Sequence, residues 1–214
     1  MNKLKEYVSL YIKNPTVRLN VSLLVGFLFN GLYIIFNLVS GILYGNAWFI
    51  TVAAYYALIV LVRYLVMGTH GKREVDKYDT SRTAGYLMMI LGVPVTGMII
   101  FTVIENREYR YSKTVLTAFA IYAVFSILRA VFGIITSRKD NAPMRRAAHT
   151  VRLSAALMSL FNFQTALFSC IALNESLSKT LNFITGATVS LSVFALAANT
   201  VKVSEKELND KKTV

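Results

Sequence analysis

Six apolar runs, each long enough to cross a bilayer, alternate with short polar segments along this 214-residue chain. They cover roughly 20–44, 47–68, 84–104, 114–136, 151–173 and 180–200. A helix needs about 20 apolar residues to span the hydrocarbon at 1.5 Å per residue. The runs are continuous rather than alternating, so strands are a poor reading. Helices then satisfy the backbone within the lipid. The pattern predicts an all-α integral membrane protein with six transmembrane helices.

The polar lead-ins recur. Thr16-Val17-Arg18-Leu19, Thr80-Ser81-Arg82-Thr83 and Thr150-Val151-Arg152-Leu153 precede or open the first, third and fifth runs. Ser112-Lys113-Thr114 matches Ser178-Lys179-Thr180, and Tyr56, Ala57 and Arg63 match Tyr122, Ala123 and Arg129 at the same spacing. The reading is three tandem helical hairpins, an approximate internal threefold repeat with units at about 17–79, 80–149 and 150–200. The competing explanation is a shared grammar of membrane borders, where an arginine precedes an inward-starting span. Repeats of two spans each keep one orientation and are related by an axis along the membrane normal. The count of three hairpins is similar to that of mitochondrial carriers. Their Pro-x-acid-x-x-base signature is missing, since none of Pro15, Pro94 and Pro143 begins one.

Residues 1–16 place Leu4, Tyr7, Val8, Tyr11 and Ile12 at helical spacing among Lys3, Lys5 and Lys13. This predicts a short amphipathic interfacial helix ended by Pro15. Residues 17–200 form the membrane domain, and 201–214 a polar cytoplasmic tail, mobile or loosely helical. Pro94, between Gly92 and Gly97, predicts a kink in the third span.

Charge sets the orientation. If both termini lie on one side, 17 of the 23 Lys and Arg residues face it and four face the other; Arg63 and Arg129 lie within spans. The bias puts both termini in the cytoplasm, with a bacterial cytoplasmic membrane as the expected location. The net charge of +12 is read as contact with anionic lipid headgroups and not as nucleic-acid binding.

All eleven Asp and Glu residues fall in loops or termini, and His70 and His149 are placed in cytoplasmic loops. The spans thus offer no carboxylate for proton coupling. No metal set, catalytic triad, phosphate loop or dinucleotide fingerprint is visible, so no cofactor and no catalytic residue is expected. Cys170, the single cysteine, reads as a packing residue.

The candidate ligand-binding residues are Arg63 and Arg129, with Asn30, Thr96, Asn162 and Gln164 near mid-span. The arginines either snorkel to lipid phosphates, pair with loop acids, or form an anion site at the mouth of a cavity. The amides either bond helix to helix or line a wet path. Trp48, Tyr44, Tyr109 and Tyr111 are placed in the outer aromatic belt, while Tyr55, Tyr56, Tyr64, Tyr122, Phe161 and Phe163 serve as anchors or core. Two functions lead, ahead of an intramembrane enzyme, for which neither general acids nor a metal set is visible. One is a small transporter or channel for an anionic solute, not driven by protons through an intramembrane carboxylate. The other is a membrane-embedded accessory, scaffold or lipid-binding subunit, with a protein partner or a second copy.

Overall fold

The structure, a computed structural model, describes residues 15–68, 73–104, 112–137, 143–171 and 174–212. The proposed interfacial helix lies outside the described residues, as do His70, Tyr109 and Tyr111. Seven helices are present among the described residues: α1 Pro15–Tyr44, α2 Ala47–Met67, α3 Glu74–Ile90, α4 Gly92–Ile104, α5 Lys113–Ser137, α6 Pro143–Cys170 and α7 Glu175–Lys212. They make six spans long and apolar enough to cross a membrane, α3 and α4 being two halves of one.

Local chemistry sets the ends. Pro15 and Pro143 open α1 and α6, where a missing N–H costs nothing. Gly45 turns the chain after α1 with φ at 58°, and the Asn46 side chain then accepts from the Trp48 N–H at 2.9 Å. Asn174 caps α7 in the same way through the Ser176 N–H. Pro94 has no N–H for the Ile90 carbonyl, and the third span accordingly breaks at Leu91.

Three spans outlast their apolar runs by two turns or more. On the basic side α3 begins at Glu74, α6 at Pro143, and α7 runs on to Lys212. The cause is a helical stripe that outlasts the apolar composition: Tyr78, Val201, Ser204 and Leu208 stay buried. Residues 201–212, set apart in sequence by polarity, are therefore the last turns of a packed helix. There Ser204 donates to Ser81 Oγ at 2.9 Å and the Tyr86 hydroxyl donates to Glu205 at 2.7 Å. His149, expected in a loop, lies in the second turn of α6 for the same reason.

The helices α1 and α2 pack on each other, as do α6 and α7. The middle pair does not repeat this: the α3–α4 span lies chiefly against α7, and α5 chiefly against α6. The sequence markers also fall at different depths. Lys113 is the first residue of α5, whereas Lys179 is a turn inside α7, where it pairs with Glu175 at 2.9 Å.

The core runs through α2, which touches α1, α3, α4 and α6. Its buried stripe is Val52, Tyr55, Tyr56, Ile59, Val62, Arg63 and Val66. Trp48 belongs to this core and not to an outer belt: it is 5% exposed, with its ring 5.9 Å from Phe161. Leu28, Leu32, Ile35, Ile121, Val124 and Phe132 are exposed on α1 and α5, the apolar surface a lipid-facing helix presents.

Candidate functional site

Helical spacing carries two arginines inward. On α2, Arg63 lies two turns beyond Tyr56 on the same face; on α5, Arg129 lies two turns beyond Tyr122. The two tyrosine rings meet edge to face at 5.2 Å, and the two Nη1 atoms meet over Gly26 of α1. A Cβ on Gly26 would displace both Nη1 atoms from this point. Arg152 of α6 joins them on the far wall.

The result is a small cavity among α1, α2, α5 and α6, lined by Asn30, Arg63, Phe125, Ser126, Arg129, Arg152 and Ala155. Its volume is about 10 Å³, room for one water-sized occupant. It sits toward the basic side, with Arg63 four residues from the end of α2 and Arg129 eight from the end of α5. That is about 6 Å and 12 Å of helix, respectively.

Each cation is held differently. Arg129 donates through Nη2 to the Ser22 carbonyl and, at 3.3 Å, to Ser22 Oγ; its guanidinium lies 5.4 Å above the Phe125 ring. Arg63 is 3% exposed, and its Nε and Nη1 have no hydrogen-bond partner. It therefore does not snorkel. Among the described residues neither Arg63 nor Arg129 forms an ion pair, and no carboxylate lines the cavity. Asn30 is 1% exposed; its Oδ1 accepts from the Tyr122 hydroxyl, and its Nδ2 has no partner.

Away from the basic side the cavity is shut by aromatic rings. Tyr33 stacks on Tyr122 at 3.9 Å and meets Tyr56 edge-on at 4.9 Å. The Tyr55 hydroxyl donates to the Ser154 carbonyl at 3.0 Å and Tyr56 to that of Ala155 at 3.4 Å, fixing α2 to α6. Of the sequence-selected aromatics, Tyr55, Tyr56, Tyr122 and Phe161 are buried, whereas Tyr64 is exposed.

Among the sequence candidates, Asn30, Arg63 and Arg129 converge and the others do not. Thr96 is exposed and donates to the Gly92 carbonyl of its own helix. Gln164 donates to Thr185 Oγ1 at 2.9 Å, a contact between α6 and α7. Asn162 is fully buried, with neither amide atom bonded, but it does not line the cavity. Sequence reasoning assigned Arg152 to a basic loop. The available signal was the stripe Ala148, Val151, Arg152 and Ala155, which continues the α6 face inward past the charge. Ser126, also in the lining, was not selected from the sequence.

No three His, Cys, Asp or Glu residues gather to hold a metal among the described residues. No family model matches the chain, and no curated protein matches it. Chemically the cavity offers donors and positive charge to a small occupant.

Proposed function

We propose that this chain is a small membrane transporter or channel for an anionic solute, with the arginine cavity as its binding station. The observation that carries the reading is the meeting of Arg63, Arg129 and Arg152 around one cavity without a carboxylate. Two unit charges about 4 Å apart repel by about 4 kcal/mol at an effective dielectric near 20. An anion between them turns that repulsion into attraction. Movement is facilitated and not proton-driven through an intramembrane carboxylate, because the acids lie outside the apolar runs. The basic side faces the cytoplasm of a bacterial cell and contacts anionic headgroups; the cavity opens that way, with the tyrosine layer closing the other. What supports an approximate internal repeat is the matching Tyr and Arg spacing of the first two units.

One observation favours the accessory or lipid-binding alternative, with a protein partner or a second copy: Thr96 and Gln164 bond within or between helices and line no path. The test is flux from reconstituted liposomes, for a panel of anions and cations, with wild type beside Arg63→Ala/Arg129→Ala. The expected result is anion flux that the double variant loses. Flux no greater than that of empty liposomes, from folded and inserted protein, overturns the transport reading and favours the accessory one.

A further inference from the structure

We infer that the arginine cavity binds one desolvated monatomic anion of the halide class, and not a carboxylate, a phosphate or a lipid headgroup. The inference rests on the anion reading above but not on movement across the membrane.

Three independent features specify the ligand. The first is donor type. Arg63 Nε and Nη1 and Asn30 Nδ2 are buried on neighbouring helices without partners. All are donors, and the amide oxygen Asn30 Oδ1 already accepts from Tyr122. The remaining acceptors are its second lone pair and Ser126 Oγ, so unpaired donors and positive charge dominate the cavity, and an anion satisfies donors alone. The second is charge. Arg63 and Arg129 bring their Nη1 atoms together over Gly26, and Arg129 is tethered there by Ser22 and Phe125, so it cannot relax away without losing those contacts. The third is size. A cavity of about 10 Å³, walled by Phe125 and Ala155, is close to the size of one water, so a small monatomic anion displaces its walls least and sulfate or phosphate most.

The test uses the purified full-length chain in detergent, titrated with sodium fluoride, chloride, bromide, nitrate, sulfate or phosphate. Sodium gluconate keeps the ionic strength constant. Unfolding temperature is followed through Trp48, the only tryptophan, and fluoride and chloride binding are measured directly at equilibrium. A halide is expected to raise the unfolding temperature saturably and to bind one per chain, with sulfate and phosphate no better than gluconate. Arg63→Met abolishes the effect. Arg63→Lys keeps the charge but lacks the Nε donor and weakens binding about tenfold or more. Gly26→Ala abolishes it by filling the point where the guanidiniums meet, so the result does not hang on one variant's folding.

No saturable halide effect on wild type overturns the inference. So does preferred binding of sulfate or phosphate, and so does a halide effect that survives in both Arg63→Met and Gly26→Ala. Halide binding without liposome flux upholds the site and removes the transport reading. Anion flux without saturable halide binding upholds transport and overturns the site.

Discussion

Replacing Arg63 with Met should make the protein more stable and less able to bind an anion. The guanidinium is 3% exposed, two of its nitrogens lack partners, and its Nη1 meets that of Arg129. Burying an ion costs several kcal/mol even after relaxation, and well-packed apolar replacement of buried charge stabilises by about 1–4 kcal/mol in other proteins. Methionine keeps most of the length of the arginine stem and fills irregular gaps well. Part of the gain is lost because the shorter side chain leaves space beside Asn30 and Ser126. A net gain of about 2–3 kcal/mol is expected, or about 4–12 °C for a chain of this size by the scaling for soluble proteins. Thermal unfolding in halide-free gluconate, read from the emission of Trp48, measures it. Added halide should stabilise wild type alone and so narrow the gap. A fall of several degrees in halide-free buffer would refute the reasoning, because it would mean that Arg63 already has a charge partner and stabilises the fold.

Two glycines should respond oppositely to the same change. At Gly26 the colliding atoms are the ends of flexible arginine side chains, so Gly26→Ala should leave stability within about 1 kcal/mol of wild type while abolishing the halide effect. At Gly85 the neighbours are the Val201 N–H nitrogen at 3.2 Å and the Ala197 carbonyl at 3.3 Å, backbone that cannot swing aside. Gly85→Ala should therefore destabilise by about 1–3 kcal/mol, seen as a lower unfolding temperature. Gln164→Leu removes the bond to Thr185 and should cost about 1 kcal/mol, with liposome flux unchanged. Ser204→Ala loses the buried contact with Ser81 at a similar cost, again without effect on the halide response.

The six spans were legible because length and apolar composition alone decide them, and the break near Pro94 because a missing N–H is local. Helix ends on the basic side were not, since α3 and α7 support each other there through Ser81, Tyr86, Ser204 and Glu205, contacts between segments more than a hundred residues apart. The same holds for the site. Arg63, Arg129 and Asn30 could be selected as polar residues in apolar runs. Arg152 sits where its run turns polar, and only tertiary packing shows that it turns inward. Thr96 and Gln164 had the same polarity as Asn30, but polarity does not say which helix a side chain will meet. The Tyr and Arg spacing was read as a mark of the repeat and carried no statement that α2 and α5 meet, while the hairpin grouping matches the packing of the first and last pairs and not of the middle one.

The dependence of the third span on α7 bears on how the protein is made. Chains assemble from the N-terminus as they are synthesised. The α1–α2 pair can close as soon as both have entered the bilayer, but the third span waits for a helix that begins at Glu175. Until then Gly85 and Ser81 have no α7 against them, and the Ser204 and Glu205 that bond this span have not been made. A lesion late in the gene should thus show itself as misassembly of a helix encoded near its middle, and the quality-control machinery would meet that helix with its α2 face covered and its α7 face bare.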